Sequence, residues 1–506
     1  MTAPAAPGQA TDFWADERWA SISAEAYPLL IGGRLVPAAD GNVFPSISPR
    51  DNRAIARIAQ AGQADVAAAV GAARKAFDEG PWGRSTAKER GAVLLRIADL
   101  IERHADELAF LESVDAGKPI SSVHYSDLPI SLDSLRFFAG ASRLTRGAAA
   151  EMADAAVIHH EFIQPIGVVA EILPWNGPLW TGVQRMAAIL AAGNAAIIKP
   201  AQLASLTIAR LAQLLVEADL PPGAINVVTG SGGVAGEALV DDPRVDMISL
   251  TGGIETGSRI LERAAPSVKR VTLELGGKNP NLVFADADLD QATFWSALGA
   301  FGNTGQICVC GSRILVERPI YDEFVGRLTT AAEGFVVGDP LDPATQLGPV
   351  IAASHAAKVW EYVAIGRTEG RIVTGGEPYR DAVRAQGAYI PPTIIADVSA
   401  SCRVATEEIF GPVVALLPFD TLDEAIAIAN ATSYGLSAGL FTRDLDRAWT
   451  VARRLDAGQV YVNQWFSPGV LESPGKGFKR SGYGGVGLEK YSQSKQVFFR
   501  VSAPRS

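Results

Sequence analysis

The sequence predicts an α/β protein built on a doubly wound parallel sheet, with a second α/β region behind it. Three observations carry this. From about Gly167, short apolar runs alternate with helical segments at the spacing of strand–helix–strand units. Each run ends in polar or glycine residues, where such sheets hold ligands beyond the carboxyl ends of their strands. The length of 506 residues, 48% hydrophobic and 20% charged, suffices for two or three domains around large cores and fits a globular chain.

Taken in order, residues 1–26 are rich in Ala, Pro and Asp and lack the basic flank and apolar run of a signal peptide, so they read as a tail. Leu29 to Leu35 reads as a short strand and turn. Val66, Val70, Ala73 and Phe77 recur at helical spacing, as do Leu94, Ile97, Ile101 and Leu108, and both segments read as surface helices over a core. The alternating runs follow: Val168 to Leu173, Ala195 to Ile198, Ile225 to Val228, Met247 to Leu250 and Val271 to Leu275. They define a nucleotide-binding α/β domain. A second alternating region runs from about Asn281 to Lys479, with helices near Tyr321 to Glu333 and Leu422 to Asn430, and Ser494 to Val501 reads as a late strand.

The net charge of -10 argues against a nucleic-acid binder, which needs a basic surface. Three cysteines, Cys308, Cys310 and Cys402, are too few and too badly spaced for a disulfide framework, so a reducing cytoplasm is expected. Without a nearby pair of cysteines or histidines, Cys308 and Cys310 do not make a zinc site, and no metal is expected. The most apolar segment, Pro178 to Ile198, is interrupted by Gln184, Arg185 and Asn194, so no membrane span is expected.

The chemistry concentrates in Asn303-Thr304-Gly305-Gln306-Ile307-Cys308-Val309-Cys310. A thiolate is a strong nucleophile when its surroundings lower the thiol pKa. Upstream stand Leu173-Pro174-Trp175-Asn176-Gly177-Pro178 and Leu273-Glu274-Leu275-Gly276-Gly277-Lys278; downstream stands Glu407-Glu408-Ile409-Phe410-Gly411-Pro412. A thiol, a carboxylate and a carboxamide on separate segments suggest a nucleophile, a base and an oxyanion donor. In this order and at this spacing, the segments resemble the aldehyde dehydrogenase superfamily, from about Leu30 to about Val497.

The resemblance implies an NAD(P)-dependent, hydrolytic enzyme that oxidises an aldehyde to the acid. It implies a cofactor domain from 27–144 and 165–276, a catalytic domain from 277–479, and a small β oligomerisation element from 145–164 and 480–506. A homodimer or homotetramer is then expected. Cys308 takes the nucleophile's place, Asn176 the oxyanion donor's and Glu274 the general base's, while Cys310 reads as structural. On the cofactor side the resemblance singles out Leu173, Pro174, Trp175, Lys199, Gln202, Gly232, Gly236, Gly252, Gly253, Glu408 and Phe410. Lys199 would reach the adenosine ribose, Glu408 the nicotinamide ribose, and Phe410 the nicotinamide ring.

Three departures matter. Gln202 stands where many NAD-using relatives carry a glutamate, which leaves NAD and NADP both open. Gly253 stands where serine is common, next to the pyrophosphate. Gly177 and Gly475 replace aromatic residues on opposite walls of the substrate tunnel. With Trp180, Trp465, Phe466 and Leu471 as candidate lining, a bulky aromatic or long-chain aldehyde is expected. Two alternatives stay in view: a relative that passes the acyl group to coenzyme A, which the presence of Glu274 disfavours, and a catalytically silent binding protein on the same scaffold.

Overall fold

The structure, a computed structural model, describes residues 26–466, 471, 472 and 475–501. The tail and part of the expected tunnel mouth (467–470, 473 and 474) therefore lie outside the described residues.

Two seven-stranded sheets dominate. The first runs Arg270–Glu274, Met247–Thr251, Val168–Ile172, Ala195–Lys199, Ile225–Val227, Leu29–Ile31, Arg34–Val36. Its first five strands are parallel, and the Leu29–Ile31 hairpin closes one edge antiparallel. Strands buried on both faces need continuous apolar runs, and Val168, Val169, Ala170, Ala195, Ala196 and Ile197 are fully buried. After the edge hairpin, the parallel part starts in the middle at Val168–Ile172, winds outward through Ala195–Lys199 and Ile225–Val227, then returns to the other side. That reversal is the doubly wound topology the sequence predicts.

The helix read from Val66 to Phe77 is Gln63–Asp78. The single helical run read from Leu94 to Leu108 is two helices, Ala87–Arg103 and Ala105–Ala116. His104 divides them, with φ -107° and ψ 20° outside the helical region. The turn lets the second helix sink into the core, where every residue from Leu108 to Ala116 is buried. A one-face periodicity does not distinguish a bend of this kind from a continuous helix.

The second sheet runs Arg371–Thr374, Thr393–Ala396, Val413–Phe419, Arg313–Glu317, Pro280–Val283, Ser437–Phe441, Gln459–Val462. Only Arg371–Thr374 is antiparallel to its neighbour. Helices Tyr321–Glu333 and Leu422–Asn430 flank it. A third, small sheet pairs Ser492–Arg500 with Val157–Pro165 over nine residues, and Ala149–Ala150 on the far edge. Its Ile158, Phe162, Phe498 and Phe499 are exposed.

The site sits between the two large sheets. The strand Arg270–Glu274 ends at Glu274, and after five intervening residues the chain enters the second sheet at Pro280–Val283. The carboxyl ends of the first sheet's strands thereby meet the loops at the amino ends of the second.

Candidate active site

Helix Leu289–Phe301 ends in a left-handed turn: Asn303 and Thr304 have φ of 50° and 56°, and Gly305 has φ 70°. Asparagine and glycine tolerate this region; threonine does not. Tertiary bonds therefore hold the turn. Thr304 Oγ1 donates to Gly348 O at 3.0 Å, and Ile351 N donates to Gln306 Oε1 at 2.9 Å. Asn279 Nδ2 donates to the carbonyls of both Cys308 and Cys310 at 2.8 Å. Trp465 Nε1 donates to Val309 O at 3.0 Å. The thiol is presented by a loop whose carbonyls are tied down from three directions.

Asn176 follows the strand Val168–Ile172 and crosses to the same loop. Its Nδ2 donates to Gln306 O at 2.8 Å, while Asn303 Nδ2 donates to Asn176 O at 3.0 Å. A carboxamide nitrogen carries two hydrogens, so one is available to an oxygen developing charge beside Cys308. Glu274 approaches from the other side. Its carboxylate rests against Gly484, where a Cβ would overlap it, and its Oε1 has no protein partner. Burial raises its pKa, opposed by Arg185 and Lys490.

Cys308 is half-buried, and burial together with the Glu274 and Glu408 carboxylates pushes its thiol up to about 12. This differs from the lowered pKa that a ready nucleophile needs. In the free protein the thiol keeps its proton, and a base is required to remove it. Cys310 is buried and pushed up to about 12 by burial, with Sγ 4.0 Å from Gly302 O.

On the first sheet, Leu173 N donates to Lys199 O at 2.9 Å, which fixes the strand ends beside Pro174 and Trp175. Lys199 is 2% exposed and its Nζ donates to Pro200 O at 2.9 Å. Burial alone lowers it to about 8, and no carboxylate faces it. Gly236 lies against its stem. Gln202 is exposed in a short turn beyond it. Gly232 and Gly253 have no atom within 4 Å of a Cβ position, and Gly253 caps helix Ile254–Ala264. Gly252 N donates to Glu274 O at 2.9 Å. Glu408 Oε1 accepts from Gly277 N at 2.9 Å. Phe410, at φ 61°, stacks edge-on with Trp175 at 5.1 Å, and its carbonyl meets His355 Nε2 at 2.6 Å. Open glycines at a helix start, a buried lysine and a carboxylate beyond them fit a dinucleotide, whose phosphates favour free backbone N–H groups.

The tunnel candidates divide. Trp180 is half-exposed, and its indole occupies the space a side chain at Gly177 would need. Gln459 does the same at Gly475. Phe466 packs 3.6 Å from a Cβ position at Gly302. Trp465 is fully buried among Gly299, Gly311 and Gly439, and Leu471 belongs to the core of the first domain. The structure also brings in residues the sequence reading assigned no role. Asn279 clamps the thiol loop, Tyr461 lies in electrostatic reach of Cys308, and Arg185 lies behind Glu274. The one sequence signal for Arg185 was a charge interrupting an apolar segment.

Fold and site together place the chain among two-domain α/β proteins whose domain junction carries a cysteine, a carboxylate and a carboxamide. A sequence model of the aldehyde dehydrogenase family matches residues 35–497, and the chain belongs to that family, whose enzymes oxidise aldehydes. It is 42% identical to cytosolic aldehyde dehydrogenase 1 of Rattus norvegicus over 92% of this chain and 93% of the relative. It is 41% identical to aldehyde dehydrogenase family 2 member C4 of Arabidopsis thaliana over 93% and 94%. The crystal structure of an NAD-dependent aldehyde dehydrogenase from Sinorhizobium meliloti superposes with a TM-score of 0.93 at 39% identity, covering 97% of this chain and 98% of that one.

Proposed function

We propose that the protein oxidises a bulky aromatic or long-chain aldehyde to its carboxylic acid, using NAD or NADP. The observation that carries this reading is the convergence of Cys308, Glu274 and Asn176 from three separate segments. Glu274 takes the Cys308 proton and passes it to solvent, the thiolate adds to the aldehyde carbon, and the resulting oxyanion accepts hydrogen bonds from the Asn176 amide and the Cys308 backbone N–H. A nicotinamide held by Glu408 and Phe410 would supply a hydride acceptor, through which the thiol adduct would be oxidised to a thioester. Glu274 then removes a proton from water as the water oxygen attacks the thioester, releasing the acid and the thiol. Its raised pKa and its unpartnered Oε1 suit it to that proton.

Lys199 and Gln202 would hold the adenosine end. A neutral amide at 202 repels a 2'-phosphate less than a carboxylate does, and Lys199 attracts it, so both cofactors are accepted. Glu408 and Phe410 would hold the nicotinamide end. On the substrate side, Trp180 and Gln459 refill the space at the two glycines, so the bulky substrate rests on the flat face of the partly buried Trp180 indole and not on a widened tunnel. The exposed apolar residues of the small sheet support a homodimer or homotetramer formed along it, and three free cysteines suit the cytoplasm. Among the described residues no helix is long and apolar enough to cross a membrane.

The test is cofactor reduction across short aliphatic, long aliphatic and aromatic aldehydes, with Cys308→Ala beside the wild type. The variant is expected to lose about four orders of magnitude of activity or more. Turnover confined to two- or three-carbon aldehydes would rule out the bulky substrate, and turnover surviving in Cys308→Ala would rule out the thiol.

A further inference from the structure

Behind Glu274 lies a second polar cluster that the chemistry above does not use. The strand registers place it. Glu171 stands beside Ser249, and Ser249 beside Thr272, on three adjacent parallel strands. Side chains alternate along a strand, so Thr251 and Glu274, paired two residues further on, share the face of this row. Helix Pro178–Ala191 packs on the strand of Glu171 and on the turn Leu488–Tyr491. It brings Arg185 within electrostatic reach of Glu171, Glu274 and Tyr491.

The cluster is sealed. Glu171 is 0% exposed, Tyr491 0%, Ser249 2%, Arg185 5% and Thr272 5%. Tyr491 Oη lies 3.4 Å from Ser249 Oγ, and both hydroxyls face Glu171. Arg185 donates from Nη1 to Gly485 O, one residue from the Gly484 backbone on which the Glu274 carboxylate rests. Both oxygens of Glu171 make no protein hydrogen bond of good geometry, nor do Arg185 Nε, Thr251 Oγ1, Thr272 Oγ1 and Glu274 Oε1. Buried polar atoms in native proteins are rarely left unpaired, so six in one cluster call for an account.

Two buried carboxyls lie within electrostatic reach of one buried guanidinium, whose own hydrogen bond goes to Gly485 O. The guanidinium stays charged, and a second buried anion without its own cation is costly. We infer that Glu171 is a positioning residue for the general base: it competes with Glu274 for the field of Arg185, so that ionisation of one carboxyl disfavours ionisation of the other. The inference rests on the assignment of Glu274 as the base. Burial pushes Glu171 up to about 7 and raises Glu274 as well. The remaining groups facing the pair are Ser249, Thr251, Thr272 and Tyr491, together with Lys490 and the Cys308 thiol, which act on Glu274. Lys199 is in register with Ile172 and leaves the sheet on the opposite face.

The sign follows from the shared cation. Glu171→Gln leaves Arg185 to Glu274 alone, which favours the ionised base and lowers its pKa. The acid limb of thioester hydrolysis then moves to lower pH, by about one unit. Glu171→Asp keeps the charge and returns the limb towards the wild type.

The test uses p-nitrophenyl acetate, which acylates Cys308 without a cofactor, so that the initial burst of p-nitrophenolate separates acylation from hydrolysis of the acyl-enzyme. A limb that moves down in Glu171→Gln and returns in Glu171→Asp is the expected result. A hydrolysis rate that falls equally at every pH, with the limb unmoved, would make Glu171 a packing residue and overturn the inference. Should Glu171→Gln not fold, Tyr491→Phe removes a hydroxyl that stabilises ionised Glu171; the limb is expected to move down again, and an unmoved limb overturns the inference. Hydrolysis surviving in Glu274→Gln would instead sink the base assignment itself, whatever Glu171 does.

Discussion

On the cofactor side of the site, the Cβ positions of Gly232 and Gly253 look into open space, whereas on the thiol side those of Gly276, Gly277 and Gly305 are occupied by neighbouring atoms. A Cβ at Gly276 would overlap the Glu408 carboxylate, one at Gly277 would stand 2.6 Å from Cys308 O, and one at Gly305 would overlap Gly411 O. The same residue type thus serves two ends. Open glycines keep a backbone clear for a ligand to approach. Crowded glycines let several backbones converge so that a thiol, an amide and a carboxylate meet in one fixed geometry. The cofactor side is shaped by what it must admit, the thiol side by what it must hold still.

Substitution breaks this comparison in graded steps. The largest effect in the set is expected from Gly305→Ala, which places a Cβ both in the left-handed region and against a carbonyl. It should cost about 3 kcal/mol of stability or more, read as a fall in thermal midpoint with loss of activity; a variant with wild-type midpoint would show the turn to be pliable. Next comes Asn176→Ala, which removes one oxyanion donor. Its kcat should drop by about two to three orders of magnitude while cofactor binding, measured by fluorescence quenching, is retained. A merely structural asparagine would lose binding too.

Smaller effects are expected across the sheet. Gln202→Glu adds a carboxylate where a 2'-phosphate would lie. It should move the ratio of kcat/KM for NAD over NADP towards NAD by about tenfold, the size of one unfavourable charge contact of about 1.4 kcal/mol. An unchanged ratio would show that position 202 lies outside the ribose site. Gly253→Ala should be the mildest for the fold, with the thermal midpoint of the cofactor-free protein unchanged, because nothing stands within 4 Å of the added methyl, while the cofactor KM rises several-fold because that methyl occupies space kept clear for the ligand. A collapse there equal to that of Gly305→Ala would erase the distinction between the two sides.

Much of this was legible from local pattern. The five parallel strands came from apolar runs with polar ends, because a strand buried on both faces has no other way to be written. Helices Tyr321–Glu333 and Leu422–Asn430 followed from their periodicity. The bend at His104 was not legible, since Leu94 to Leu108 keeps its spacing through it. Nor was the burial of Trp465. In the sequence it is an aromatic beside the expected tunnel mouth; in the fold it fills the gap left by Gly299, Gly311 and Gly439, three glycines from three separate elements.

The sequence by itself determined which groups the proposed reaction would use: one thiol in an asparagine- and glycine-rich turn, one carboxylate at a strand end, and one carboxamide after another strand, in the order of a known family. The tertiary structure alone decided their state. It raised the Cys308 thiol by burying it, with two carboxylates adding to the effect, filled the spaces at Gly177 and Gly475 with Trp180 and Gln459, and set Arg185 within electrostatic reach of both Glu171 and Glu274. Residue type and spacing are written along the chain, but a pKa and a cavity depend on what is packed around a group. That is settled by residues from distant parts of the sequence meeting in a low-dielectric interior.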